Sequence, residues 1–380
     1  SVRAAMVDAI NRRRTHLGER LDVSKLAVHL PTGPELSTYD PSRPDQRVAV
    51  VQSYQPADVG ALIKIAESHA EAWSGRPVAD RVAVMRNAAA LMRDRRWDLA
   101  AWEVFEEGKP WREADADVAE SIDFLQYYAG EMARLDPPPR LGRYPGELNE
   151  LYWTARGLTA VIAPWNFPLA IPTGMVAAAL VAGNPVLFKP SERSSALGYQ
   201  LVQIMLEAGV PKGVLQYIPG GPELGRELVT SAAVRMIAFT GSKDVGLGIM
   251  QAAGVQQPGQ RFVKRVIAEM GGKNAIIVDE TADLDEAVTG VAQSFTGYAG
   301  QKCSACSRVI VVDSIHDAFV ERLADAVMSL RIGPADDPAT QVGPVIDARA
   351  KQRILDYLEI GRREGRVLVD RSAEGPGHTV

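Results

Sequence analysis

The chain has 380 residues, 46% hydrophobic and 23% charged, the make-up of an ordinary globular protein long enough for two cores. Forty-two basic against 47 acidic side chains leave a net charge of −5, with no asymmetry that would mark a nucleic-acid surface. Cys303 and Cys306 are the only cysteines and stand too close together for a disulfide framework, which points to a reducing, cytoplasmic setting.

In chain order, residues 1–45 read as a basic helix followed by a turn-rich segment with Pro31, Pro34, Pro41 and Pro44. The start carries spread charges and no apolar h-region, so it is not a secretory signal. It also lacks an initiator Met, and the end at 375–380 is abrupt, so a piece of something longer is expected. From Pro56 to about Glu131 the apolar spacing is helical, as in Val59, Leu62, Ile63 and Ala66. Asp136-Pro137-Pro138-Pro139 breaks that pattern. Residues 144–158, with Leu148, Leu151, Tyr152 and Trp153 among polar neighbours, suggest a hairpin or edge ribbon.

From Thr159 the rhythm changes. Short apolar runs at 159–163, 186–189, 214–218, 236–240 and 266–270 alternate with helical stretches, the pattern of βαβ units in a mostly parallel sheet. The longest apolar run, about Met175 to Ala182, ends in Gly183-Asn184-Pro185 and is roughly half of what a membrane span needs. A second set follows: strand 275–278, helix 284–298, strand 308–312, helix 314–330. The fold class is α/β, in two lobes.

Ligands in open parallel sheets sit beyond the carboxyl ends of the strands. Four segments fall there: Pro164-Trp165-Asn166-Phe167-Pro168, Lys189-Pro190-Ser191-Glu192, Phe239-Thr240-Gly241-Ser242 and Glu269-Met270-Gly271-Gly272-Lys273-Asn274. Each alone also reads as an ordinary strand-to-helix turn; four after successive strands are harder to dismiss. Gly241-Ser242 ahead of a helix would aim N–H groups and a hydroxyl at an anion such as a pyrophosphate. Lys189 and Glu192 could hold sugar hydroxyls. The G-x-G-x-x-G fingerprint is absent, so nucleotide binding cannot rest on it. Glu269 reads either as a capping or ion-paired carboxylate or as a general base in partly apolar surroundings.

Cys303-x-x-Cys306 could be half a zinc site, but no second cysteine pair exists and the five histidines (His16, His29, His69, His316, His378) show no ligand spacing, so no metal is expected. A thioredoxin-like dithiol would normally follow an early strand of a small domain. Cys306 reads as a buried, inert thiol. Cys303 differs: Lys302 and Arg308 border it, and positive charge favours the thiolate.

Ala268-Glu269-Met270-Gly271-Gly272-Lys273-Asn274 and Gly300-Gln301-Lys302-Cys303 resemble the glutamate and cysteine motifs of the aldehyde dehydrogenase superfamily, with the two residues 34 positions apart. The other three segments resemble further blocks of that superfamily, in its order, and the similarity runs from about Thr38 to Arg366. Within it, Gln301 to Arg308 and Glu113 to Glu120 are most similar to the 1-pyrroline-5-carboxylate (L-glutamate γ-semialdehyde) dehydrogenases of proline catabolism. These occur alone or as the C-terminal part of a bifunctional proline-utilisation protein with proline dehydrogenase upstream.

The resemblance implies an organisation: residues 1–45 an N-terminal helix and extended segment, 46–143 and 159–270 a Rossmann-type NAD-binding domain, 144–158 an oligomerisation hairpin, and 271–380 an incomplete α/β catalytic domain. It also implies roles. Cys303 is the nucleophile, Asn166 an oxyanion donor and Glu269 the base. Lys189, Glu192, Gly241, Ser242, Ile162, Pro164 and Trp165 bind NAD, Ser304 bonds the carboxylate of the aldehyde, and Lys302 is either a second substrate contact or a structural residue. A homo-oligomer is expected of the full-length protein, with no nucleic-acid partner and no membrane span. The superfamily pattern continues for on the order of a hundred residues beyond this end, an extent within its two-lobed domain sizes, so the piece alone is expected to have little dehydrogenase activity. Another aldehyde substrate such as succinate semialdehyde, or an inactive nucleotide-binding relative, remain open as alternatives.

Overall fold

In the computed structural model, residues 2–372, 375 and 377–379 are described. Ser1, Pro376 and Val380 of the terminal segments read above lie outside them. Helix α1 (Val2–Arg14) buries Met6, Ala9 and Ile10 and closes on Arg12, Arg13 and Arg14, whose charges suit its C-terminal dipole.

The turn-rich stretch that follows holds a sheet. Strands β1 (Glu19–Leu21), β2 (Glu35–Asp40) and β3 (Arg43–Gln52) are ordered β1-β3-β2, with β1 parallel and β2 antiparallel to β3. Pro31 and Pro34 precede β2, and Pro41 lies in the β2–β3 turn. Pro44 sits near the start of β3 where the β2–β3 register is irregular, the kind of place a sheet admits a residue without N–H. Val48, Ala49 and Val51 of β3 join the main core. The expected boundary at residue 45 therefore falls inside a strand.

Helices α2 (Val59–Ser74), α3 (Val78–Asp94), α4 (Arg96–Glu106) and α5 (Trp111–Leu135) occupy the region of helical spacing. After the proline break, Leu141 N–H bonds Asn149 O (2.8 Å) and Leu151 N–H bonds Pro139 O (3.2 Å), around a bridge between Arg140 and Glu150. The ribbon thus spans 139–151, beginning five residues before the expected 144. Tyr144 and Leu148 within it, and Tyr152 and Trp153 just after it, are exposed.

Next come β4 (Thr159–Ile162), α6 (Ala170–Val181), β5 (Val186–Lys189), α7 (Ser195–Glu207), β6 (Leu215–Tyr217), α8 (Pro222–Thr230), β7 (Met236–Thr240), α9 (Lys243–Gly254) and β8 (Arg265–Glu269). The five strands are all parallel, ordered β6-β5-β4-β7-β8. Strands β5 and β6 are buried throughout, as continuous apolar runs require when helices cover both sheet faces. Chain order reverses beside β4, so the crevice beyond the ends of β4 and β7 is the topological switch point.

A smaller lobe follows: β9 (Asn274–Val278), α10 (Leu284–Thr296), β10 (Cys306–Val311) and α11 (His316–Met328). Strands β9 and β10 pair in parallel, and Val278, Val288, Val291 and Phe319 form a separate core. Helix α10 starts on Asp283, whose carboxylate accepts the N–H of Asp285 and Glu286. It stops at Thr296, short of the expected 298, because Tyr298 and Ala299 are left-handed (both φ 52°). Helix α12 (Ala348–Glu364) packs nearby through Ala350 and Ile354. Among the described residues no helix is long and apolar enough to cross a membrane.

Candidate active site

The two cysteines have opposite environments. Cys306 opens β10 buried, its thiol 3.2 Å from the Arg308 carbonyl oxygen it can donate to. Cys303 is exposed on the loop between α10 and β10. Nucleophilic chemistry needs access, so only Cys303 is placed to perform it.

That loop is held at several points. The Asn274 side-chain amide donates to Cys303 O (2.8 Å) and Ala305 O (3.1 Å). Gly272 packs so tightly that a Cβ there would lie 2.8 Å from Cys303 O, so the glycine is needed for close approach. Gln301 accepts the Ile346 N–H through Oε1 (2.9 Å) and donates from Nε2 to Tyr298 O (3.2 Å). Sequence reasoning gave no role to Asn274 or Gln301, although both stand inside the quoted motifs. An amide side chain beside a tight turn was the available signal.

Asn166, just beyond β4, donates from Nδ2 to Gln301 O at 2.9 Å. The large lobe thereby touches the cysteine loop two residues before the sulfur. An amide carries two N–H hydrogens, and this bond occupies one. Among the described residues no protein acceptor takes the Cys303 N–H. Two donors thus remain beside an accessible thiol, as a developing oxyanion needs.

Two expectations require correction. Glu269 ends β8 exposed, not enclosed in partly apolar surroundings. Lys302, expected to favour the thiolate and to be either a substrate contact or structural, is ion-paired with Glu113 of α5 at 2.5 Å, which fits the structural alternative. Its charge is matched there, and it ties the two lobes together. Ser304 is exposed beside Cys303.

At the switch-point crevice, Lys189 ends β5 buried, its Nζ 3.3 Å from Pro190 O. Burial, partly offset by Glu192, lowers its pKa to about 8. Glu192 is exposed, with Gly221 at the start of α8 so close that a Cβ there would lie 3.3 Å from its Oε1. Ser242 precedes α9 with its hydroxyl uncommitted to the helix. Gly241 admits no Cβ, which would lie 2.6 Å from the Phe239 ring. Ile162 and Pro164 are half-buried, and Trp165 stands edge-on to Tyr298 (centroids 6.4 Å apart). A buried lysine, an exposed carboxylate and two glycine-flanked helix starts along one crevice fit a dinucleotide.

A family model described as the aldehyde dehydrogenase family matches residues 30–379. The 1-pyrroline-5-carboxylate dehydrogenase of Geobacillus thermodenitrificans is 41% identical over 96% of this chain and 71% of its own length. A 1-pyrroline-5-carboxylate dehydrogenase structure from Thermus, with bound NAD, superposes with a TM-score of 0.96 at 40% identity, covering all of this chain and 74% of that one. Proline utilization A from Bdellovibrio bacteriovorus gives 0.95 at 43% identity over 99% of this chain, which spans only 39% of it.

Proposed function

The chain belongs to the aldehyde dehydrogenase family, and from that premise we propose that it oxidises L-glutamate γ-semialdehyde, the open form of 1-pyrroline-5-carboxylate, to L-glutamate with NAD, a step of proline catabolism. The observation that carries this reading is the Asn166–Gln301 bond, which joins the switch-point crevice to the loop of an accessible Cys303.

The Cys303 thiolate adds to the aldehyde carbon and forms a thiohemiacetal. The remaining Asn166 N–H and the Cys303 backbone N–H receive the negative oxygen; loss of one such donor typically raises a barrier by about 3 kcal/mol. Bound in the crevice, NAD would supply the hydride acceptor, and loss of hydride from the thiohemiacetal carbon would leave a thioester on Cys303. Glu269 takes a proton from water, which attacks the thioester and frees the acid and the thiol. Lys189 and Glu192 would hold the adenosine ribose, with Glu192 suiting a free 2′-hydroxyl over a 2′-phosphate, so NAD is preferred. Ser242 and Gly241 would hold the pyrophosphate, while Ile162, Pro164 and Trp165 line the cleft. Ser304 is free to bond the substrate's carboxylate.

Two free thiols fit a reducing cytoplasm. The exposed Tyr144 and Leu148 of the 139–151 ribbon, with Tyr152 and Trp153 just after it, fit burial in a homo-oligomer. The likeness to proline utilization A supports a proline dehydrogenase domain upstream in the whole protein. The test is NAD reduction by the whole protein with glutamate and succinate semialdehydes, wild type beside Cys303→Ala. Turnover on the first that vanishes in the variant supports the reading; activity surviving without the thiol overturns it.

A further inference from the structure

Beneath both reactive loops lies a buried ammonium. Lys109, between α4 and α5, is 1% exposed, bonded to Asp117 and 3.1 Å from Glu103 Oε2. Both carboxylates are fully buried. Asp117 uses its other oxygen to accept the Ala170 N–H (2.8 Å) at the start of α6, the helix that follows Asn166.

The ammonium also faces two rings. Its Nζ stands 4.7 Å from the centroid of Phe167, the residue after Asn166, and 5.2 Å from that of Tyr298. Tyr298 in turn accepts the Gln301 backbone N–H at 3.1 Å, and Gln301 O accepts Asn166 Nδ2. The contacts close a circuit: Lys109, Phe167, Asn166, Gln301, Tyr298 and back to Lys109. We infer that Lys109 is a positioning residue, a charged pin that draws the Asn166 loop and the cysteine loop into register by attracting an aromatic face from each.

The attraction of a cation for ring faces is strongest where water is excluded, as here. A neutral side chain of similar length would fill the space without pulling on either ring. Lys109 is buried from solvent, so its effect passes through the relative placement of Asn166 and Cys303. The inference deepens the reading above and rests on it for its chemical consequence, while the clamp itself can be read without catalysis.

The experiment compares the whole wild-type protein with its Lys109→Met and Phe167→Leu variants by native-state hydrogen exchange and by labelling of Cys303 with iodoacetamide. The expected result is exchange faster by about tenfold in segments 165–170 and 298–303 together, with strand 186–189 unchanged. Glutamate semialdehyde should protect Cys303 about tenfold less well in both variants, in keeping with a weakened cation–aromatic contact, while Cys306 stays unlabelled. Unchanged exchange in either segment overturns the inference. If Lys109→Met accelerates exchange throughout and exposes Cys306, Phe167→Leu decides, because it leaves both ion pairs intact; general acceleration there too makes the residue a stability element and overturns the clamp. Absence of aldehyde protection in the wild type sinks the proposed function instead, and the exchange arm still judges the clamp.

Discussion

Asn274 offers the sharpest perturbation of the cysteine loop. Its two amide hydrogens meet two carbonyl oxygens, at 2.8 and 3.1 Å. Asn274→Ala removes both bonds, each worth about 0.5–1.5 kcal/mol net and toward the lower end at this exposed position. Asn274→Asp should do worse, because it sets carboxylate oxygens against the same carbonyls with no hydrogen between them. If a loss of about 1.4 kcal/mol falls on loop placement, the population with Cys303 correctly held drops about tenfold. The assay is kcat for aldehyde oxidation beside the melting temperature, with Asn274→Ser as a partial rescue, since a hydroxyl donates one bond. The expected order of kcat is wild type, Ser, Ala, Asp, with melting temperatures changing little. An Asp variant as active as wild type would refute the reasoning, since no donor would then be needed at Cys303 O.

Three further outcomes follow from burial. Lys189 is neutral above about pH 8 when folded and only above its ordinary value of 10.5 when unfolded, so the unfolded chain holds more protons between them and stability rises with pH across that window. Lys189→Met should therefore be more stable than wild type at pH 7 by up to roughly 3 kcal/mol, with the gap in denaturant midpoints closing by pH 10.5, and should bind NAD more weakly. Glu106 is fully buried and pushed up to about 7 despite accepting the Ala196 and Leu197 N–H groups of α7; the folded chain holds the extra proton between 4.5 and 7, so stability falls as pH rises through that range, and Glu106→Gln should flatten the slope in urea melts. Iodoacetamide should label Cys303 at neutral pH and leave Cys306 untouched in the native state; equal rates at both would contradict their different burial.

How much of this was legible depended on the range of the forces involved. The five strands of the parallel sheet were readable because each is a dense apolar run bounded by turn residues. The β1–β3 sheet was not, because Pro34, Pro41 and Pro44 read as punctuation, although Val48 to Val51 carry the apolar run that makes β3 a strand. Motif reading singled out Asn166 and Cys303, but not the bond from Asn166 to Gln301 across 135 positions. Charge near Cys303 in sequence misled for the same reason: Lys302 finds Glu113, 189 residues away, and spends its charge there. The exposure of Glu269 is equally non-local, being set by what packs over the end of an edge strand.

The left-handed turn ahead of Cys303 shows why the thiol is accessible at all. Tyr298 and Ala299 hold a conformation costing roughly 1 kcal/mol or more apiece for residues with a Cβ, and Gly300 continues it at φ 71°. A Cβ at Gly300 would lie 2.8 Å from Phe295 O, so that position tolerates only glycine. The strain persists because Tyr298 is fully buried and its hydroxyl donates to Glu107 O at 2.8 Å, which anchors the turn in the large lobe. Had α10 continued through this stretch, its helical bonds would have carried the backbone past the points where Asn166 reaches Gln301 O and Asn274 reaches Cys303 O. The chain instead breaks the helix at a fixed point and lets side chains of both lobes take up the loop. The geometry around Cys303 is therefore a property of the junction between the lobes, and substitutions at Tyr298 or Gly300 should disturb Cys303 more than equally large changes inside either core.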